Sequence, residues 1–269
     1  MIQGIVYLLC GMKAAERLVV SIHTLRNHWD GSIAILTTTK EEQQLARRIA
    51  SDLSCQVLLI QELGNRAMLA KTFIPDYTPY EETLFLDADT VVIGRMDEMF
   101  GYPLTLTQFA KWVSNKRFTE KWIRQWKEHV KREDFLDMIQ MQLDHPYPAL
   151  NTGVFAFRRD NANLVLWKTL AGLFPTAKMI DQTAMQILTS TIPHRIMDDR
   201  FNNSAIHGHE TVDVRLIHFH GGKRHCSDNE YAMVWKESFR KAIEANVGGL
   251  KEWAGTYDRR VRKLLAEDK

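Results

Sequence analysis

Cysteine is scarce: Cys10, Cys55 and Cys226 are the only three in 269 residues. Their odd number and wide spacing exclude a disulfide framework and a closely spaced zinc pattern, and point to a reducing compartment, so a cytoplasmic location is expected. An excess of one charge is also missing. Lys and Arg total 35 against 33 Asp and Glu, without the basic surplus of a dedicated nucleic-acid binder, so nucleic acid is not expected as a partner. No stretch reaches the length of a transmembrane helix, which leaves only peripheral membrane contact open. The short apolar opening at 5–9 lacks a basic leader or a small-residue cleavage site and reads as a buried strand. Repeats, low-complexity tracts and linker-like stretches are absent too, which favours one domain over 1–269. What remains, 45% hydrophobic and 25% charged residues, is the composition of an ordinary globular chain, with oligomerisation left open.

Strand-like and helix-like stretches alternate through the first hundred residues. Strands are predicted at 5–9, 32–37 and 56–60, and helices at 14–28, 40–51 and 66–73. This order implies an α/β fold with a mainly parallel sheet covered by helices on both faces. Residues 83–86 form a short apolar strand that ends in Asp87-Ala88-Asp89, followed by a second apolar run at 91–93. From 111 to 143 the pattern is helical, with Trp122 and Trp126 on one face; together with Trp112 they suit core packing better than a ligand platform. A strand at 151–157, helices at 163–174 and 181–189, a strand at 214–219, a glycine turn at 220–224 and helices at 231–245 and 250–266 complete the reading. The basic run at 259–263 reads as a solvated helix face.

Two carboxylates at a strand's carboxyl end stand where ligands bind in open α/β sheets. Asp87 and Asp89 can both approach a hard divalent cation, and such a cation can hold a diphosphate as it leaves. An isolated pair of this kind is also a common turn cap. His218 closes an apolar strand and can add an imidazole to the same cation, or simply hydrogen-bond at a sheet edge. His220, two residues on, would share its face. Gly221-Gly222 with Lys223 and Arg224 suits a diphosphate, or a plain tight turn. Lys71 offers a mobile charge to phosphate, or is a surface lysine. Asn151 and Gln182 carry amides fitted to sugar hydroxyls, with Asp181 beside them, although 181 and 182 also suit the opening of a helix.

The segment 84–93, Leu-Phe-Leu-Asp-Ala-Asp-Thr-Val-Val-Ile, resembles the metal-binding strand of family 8 glycosyltransferases, the glycogenin and galactosyltransferase-like group. Four further stretches agree in order: Lys71 sixteen residues before Asp87, Asn151-Thr152-Gly153-Val154-Phe155, Asp181-Gln182, and His218-Phe219-His220-Gly221. The resemblance implies a GT-A fold and a nucleotide-diphosphate sugar donor, by default a UDP-hexose. It also implies Mn2+ (or Mg2+) at Asp87, Asp89 and His218, and transfer with retention to a saccharide, lipid-linked or protein acceptor. Donor contacts would then come from Lys71, Asp87, Ala88, Asp89, Asn151, Gly153, Asp181, Gln182, Gly221, Lys223 and Arg224, with Asp181 and Gln182 beside the reacting carbon. Residues 1–100 would bind the donor, and 101–269 would build the acceptor side and close the metal site. The chain departs from the pattern in three places. Lys13 and Ala14 stand where a tyrosine often packs on the base, the family's lysine position falls on Arg224 with Lys223 one residue early, and His225 and Cys226 replace a proline and a tryptophan. Two rival readings are a nucleotidyltransferase, which would want a glycine-rich basic loop after the first strand where 10–13 has one glycine, and a catalytically silent binding protein. Intact Asp87, Asp89 and His218 speak against the second.

Overall fold

The computed structural model describes residues 1–60, 66–108, 116–145, 148–206, 212–220, 225 and 227–267. The expected alternation is present: β1 (Gln3–Leu9), α1 (Ala15–Leu25), β2 (Ser32–Thr37), α2 (Lys40–Leu53) and β3 (Cys55–Leu59). Helix α2 starts at a reciprocal cap, the Thr39 hydroxyl accepting from the Glu42 N–H at 3.1 Å and the Glu42 carboxylate accepting from the Thr39 N–H at 3.0 Å, so two amides that a helix start leaves without partners are satisfied. The helix expected near 66–73 is present as α3 (Ala67–Lys71), and a second short helix, α4 (Ile74–Tyr77), follows it. Pro75 has no N–H to carry the first helix into the second and sits in the opening turn of α4, where none is needed.

The chain continues through β4 (Glu82–Leu86), β5 (Thr90–Val92), β6 (Leu104–Gln108), α5 (Lys116–His129), α6 (Glu133–Asp144) and β7 (Leu150–Arg158). It ends with α7 (Asn163–Leu173), α8 (Ile180–Leu188), β8 (Arg195–Met197), β9 (Asn203–Ser204), β10 (Leu216–His218), α9 (Glu230–Glu244), α10 (Leu250–Trp253) and α11 (Arg259–Glu267). Three strands, β6, β8 and β9, were not expected. The helix expected over 250–266 breaks between α10 and α11, where Gly255 takes a φ of 76° that other residues resist, and Asp258 caps the new start through the Arg260 N–H at 2.9 Å.

Seven strands form one sheet in the order β3-β2-β1-β4-β7-β6-β8, with β7 alone running against its neighbours β4 and β6. The sheet is covered on both faces, and the period of two along β1 shows how. Ile5, Tyr7 and Leu9 join a core with Leu18 and Ile22 of α1, Ile49 of α2, Trp235 and Phe239 of α9 and Val261 of α11. Val6 and Leu8 face the opposite core, with Trp126 of α5, Ile139 of α6, Trp167 of α7 and Met185 of α8. Trp126 is therefore a core residue, edge-on to Phe174; Trp122 is half-buried, and Trp112 lies outside the described residues. A second, three-stranded sheet has the order β5-β10-β9.

Two consequences place the site. Strands β1 and β4 are parallel neighbours, yet the chain leaves β1 toward β2 on one side and returns to β4 on the other, so a crevice opens at their carboxyl ends. The small sheet then lays β10 antiparallel to β5, with His218 opposite Thr90.

Candidate active site

The loop after β4 is held by its backbone before any side chain acts. The Asp87 N–H donates to the Gly153 carbonyl at 2.8 Å, and the Phe219 N–H donates to the Asp89 carbonyl at 2.8 Å. The Thr90 hydroxyl donates to the Asp87 carbonyl at 2.9 Å and meets Ser21 at 2.7 Å, which meets Tyr7 at 3.0 Å. A buried line of hydroxyls thus ties the carboxylate loop to β1 and α1.

On that frame, Asp87, Asp89 and His218 present three ligand atoms within 4.8 Å of one another. His218 Nε2 lies 3.3 Å from Asp89 Oδ1 and 3.7 Å from Asp87 Oδ2, while Nδ1 stands 2.9 Å from Asn202 Oδ1. The amide nitrogen of Asn202 donates to the Thr107 hydroxyl at 2.7 Å, and that hydroxyl donates in turn to the Val154 carbonyl at 2.8 Å. The amide oxygen is therefore the end that faces His218 and Nδ1 donates to it, so Nε2 is the nitrogen turned to the carboxylates and the one a cation would meet. His220 is differently employed: its Nε2 is 2.7 Å from the Ser204 hydroxyl.

Lys71, on α3, is buried rather than at the surface, with Nζ 3.0 Å from Asp87 Oδ1, 3.0 Å from Asp181 Oδ2 and 3.3 Å from the Thr152 carbonyl. Burial opposes its charge, but the two carboxylates outweigh that and raise its pKa above the ordinary lysine value. Asp181 also accepts from the Thr152 hydroxyl at 2.8 Å. Burial pushes the Asp87 carboxyl above the usual range, with Lys71 pulling it down and the charge of Asp89 adding to the rise. Asp89 goes the other way: burial is outweighed by His218 and by Arg17, whose Nη1 is 3.4 Å from Oδ2. Three carboxylates here face two cationic side chains, Lys71 and Arg17. Oxygen ligands, an imidazole presented through Nε2 and this surplus of negative charge fit a hard divalent cation.

Gly153 makes the approach feasible. A Cβ there would collide with His218 Cε1 and stand 2.8 Å from both Asn151 Oδ1 and Asp87 Oδ2. Asn151 turns its amide oxygen to the Gly153 N–H at 2.7 Å. Together these residues line a cleft of about 500 Å³, which also takes in Ala88, Asp181 and Gln182.

Of the residues singled out in the sequence, Lys71, Asp87, Ala88, Asp89, Asn151, Gly153, Asp181, Gln182 and His218 line this cleft. Gly221, Lys223 and Arg224 lie outside the described residues. Asp181 and Gln182 also stand in the first turn of α8, whose N-cap position is taken by Met179. Sequence reasoning missed Arg17, Thr152 and Asn202. Thr152 sits inside a motif already singled out, whereas Arg17 and Asn202 belong to no motif and reach the cluster only through α1 and the approach to β9.

The profile described as glycosyl transferase family 8 matches residues 19–167, from within α1 to within α7. That span holds Lys71, the carboxylate pair and the Asn151 to Gly153 strand; Asp181, Gln182 and His218 fall beyond it. Among solved structures, the bifunctional glycosyltransferase WbbM aligns with a TM-score of 0.59 and 11% identity, over 88% of this chain and 49% of its own. GlyE of Streptococcus pneumoniae TIGR4 aligns at 0.60 and 13%, over 92% and 64%. The galactosyltransferase LgtC, solved with donor and acceptor sugar analogues, aligns at 0.60 and 12%, over 88% and 95%. This chain spans about half the length of WbbM and 64% of that of GlyE. Identities this low show the fold alone, the GT-A arrangement that these enzymes share with this chain. No curated protein matches in sequence. With the family profile running through more than half of its residues, and the carboxylate pair at its centre, the chain belongs to glycosyl transferase family 8.

Proposed function

We propose that the chain is a single-domain retaining glycosyltransferase that moves a hexose from a nucleotide-diphosphate sugar, by default a UDP-sugar, to an acceptor hydroxyl. In this reading Asp87, Asp89 and His218 hold Mn2+, or Mg2+ in its place. The observation that carries the reading is the junction of that three-residue cluster with Lys71, Asp181 and Gln182 in one cleft.

When bound, the cation supplies positive charge to the donor's diphosphate and to the oxygen that leaves with it. The remaining work falls to the chain. Lys71, fixed between two carboxylates, offers a permanent ammonium beside the carboxylate cluster. Asn151 spends its amide oxygen on Gly153, so its amide nitrogen has donors for sugar hydroxyls. Gln182 adds a second amide and Asp181 orients a hydroxyl. Gly221, Lys223 and Arg224 are assigned to the diphosphate on sequence grounds.

A retaining transfer needs either a carboxylate nucleophile or a front-face route. Lys71 and the Thr152 hydroxyl both occupy Asp181 Oδ2, which weakens that carboxylate as a nucleophile. This favours the front-face route, in which the departing phosphate oxygen takes the proton of the acceptor hydroxyl.

The testing experiment is a panel of nucleotide sugars scored by thermal shift with and without Mn2+, followed by donor hydrolysis assays. One donor should raise the melting temperature only with metal and be hydrolysed only with metal. Full turnover in excess chelator, or a panel with no metal-dependent shift, would overturn the reading.

A further inference from the structure

Two cavities meet at the carboxyl end of β1. The cleft of about 500 Å³ holds the carboxylate cluster, and a second cavity of about 620 Å³ opens toward the start of α2, between Gly11, Lys13, Thr39 and Glu42. Cys10, Ala14 and Arg17 line both. Arg17 projects from the first turn of α1 at this junction.

Its guanidinium is poorly satisfied where it stands. Nη1 is 3.4 Å from Asp89 Oδ2, Nη2 is 3.3 Å from the Lys13 carbonyl, and Nε is buried without a hydrogen-bond partner among the described residues. An arginine fork can give five hydrogen bonds and matches phosphate in pairs; two long contacts leave most of that capacity unspent. A recessed cation with donors to spare is costly unless an anion completes it. Its ion-pair partner, Asp89, is a carboxylate that a divalent cation would also claim, while Asp258 interacts with its charge from farther off.

We propose that Arg17 is a donor-binding residue for the diphosphate, resting on Asp89 until the cation takes that carboxylate and the phosphates take the guanidinium. The inference rests on the nucleotide-sugar reading above. A nucleoside diphosphate that reaches from the second cavity to the carboxylate cluster passes Arg17. Cation and diphosphate are then coupled through this side chain: the first frees it, and the second engages it.

The coupling has a signature that a purely structural arginine lacks, because its removal moves two affinities in opposite directions. Isothermal titration would measure Mn2+ alone, and inorganic pyrophosphate in the presence of Mn2+, on wild type, Arg17→Leu and Arg17→Lys. Pyrophosphate is chosen because it carries no base or sugar. Arg17→Leu is expected to bind Mn2+ alone several-fold more tightly, its competitor for Asp89 being gone, and pyrophosphate with Mn2+ about ten- to hundredfold more weakly. Arg17→Lys should fall between wild type and Arg17→Leu on both scales. If Arg17→Leu does not fold, Arg17→Gln reads the same two affinities with similar reach and no charge. Wild-type binding of pyrophosphate that Arg17→Leu retains would overturn this inference alone. Mn2+ binding that is unchanged or weaker in Arg17→Leu would also overturn it, since Arg17 would then support the carboxylates rather than compete for them. Failure of wild type to bind pyrophosphate with Mn2+ would overturn the inference and the donor reading together.

Discussion

Gly153 is the position where one atom more would be felt at once by three site residues. Its Cβ would push against His218, Asn151 and Asp87 together. The last lies on the loop pinned through the Gly153 carbonyl, so it cannot move away freely. Gly153→Ala is expected to lower metal-dependent turnover by about a hundredfold or more while the protein stays folded; near-normal turnover would show that β7 gives way. Asn202 acts through the ring it orients. Asn202→Leu removes the acceptor at Nδ1, and metal affinity measured by titration should fall about 10- to 100-fold. His218→Ala should weaken metal binding more than either change at a neighbour, and His220→Ala, whose ring meets Ser204, should do much less. Equal losses for the two histidines would mean that the ligand has been misplaced. Asp87, Asp89 and His218 could all be picked from motifs. Asn202 could not, because an asparagine sixteen residues before His218 meets it only once β9 and β10 have paired.

Among the elements, the segment that starts α11 is a clasp. The buried Glu16 of α1 accepts from the N–H groups of Tyr257 and Asp258 at 3.2 and 3.3 Å, and Asp258 Oδ2 stands 3.4 Å from Nε2 of the fully buried His225. Trp235 of α9 closes the pocket with its ring edge-on to His225, at 4.6 Å between centroids. Burial alone would raise the Asp258 carboxyl, but the imidazole of His225 and the Arg260 N–H outweigh it and hold the pKa at about 2. A carboxylate with a depressed folded-state pKa contributes stability that is present above its ordinary value, near 4, and is lost as pH falls through about 2. Glu16 runs the opposite way. Burial raises its pKa, so its contribution is present below the ordinary glutamate value and lost as pH rises through the raised one. The clean measure is therefore a difference: Asp258→Asn should cost about 1–3 kcal/mol at pH 7, and the gap to wild type in chemical denaturation should shrink between pH 4 and pH 2. A gap independent of pH would show that the carboxylate charge does not matter there. Neither partner could be matched from the sequence, which offered the basic run at 259–263 as an uninterrupted helix face and did not foresee the break at Gly255.

At the scale of the molecule, residues 1–100 and the rest of the chain share one sheet. Strand β4 carries the carboxylates, and its neighbours are β1 from the first hundred residues and β7 from the rest. Phe85 of β4 packs against Phe155 of β7 with ring centroids 5.2 Å apart, and cutting the chain near residue 100 would strip that face bare. A single cooperative thermal transition is expected for the whole chain, and a fragment of residues 1–100 should show no dispersed amide spectrum. Two separate transitions, or a folded fragment, would make the halves independent domains. Proton NMR of fresh product should show the donor's anomeric configuration kept, and an inverted linkage would remove the retaining mechanism while leaving the fold in place.

Among the described residues no helix is long and apolar enough to cross a membrane, as the absence of a long apolar run already implied. Local chemistry made that and much else legible in the sequence. Short apolar runs marked β1 and β4, strand-like and helix-like stretches in alternation marked β2 and α2, and a carboxylate pair after an apolar strand marked the crevice, because each signal lies within a few consecutive residues. Strand β6 went unread because its threonines, although buried, interrupt the apolar run that marked β1 and β4, and β8 and β9 are too short to carry a period at all. Only the tertiary structure decided that Lys71 is buried between two aspartates, that Asn202 holds Nδ1 of His218, and that Arg17 reaches Asp89. Those contacts join residues 16 to 110 positions apart. Hydrogen bonds and ion pairs act over a few ångströms, and only the stacking of α1, α3, α8 and the small sheet around β4 brings such distant positions that close.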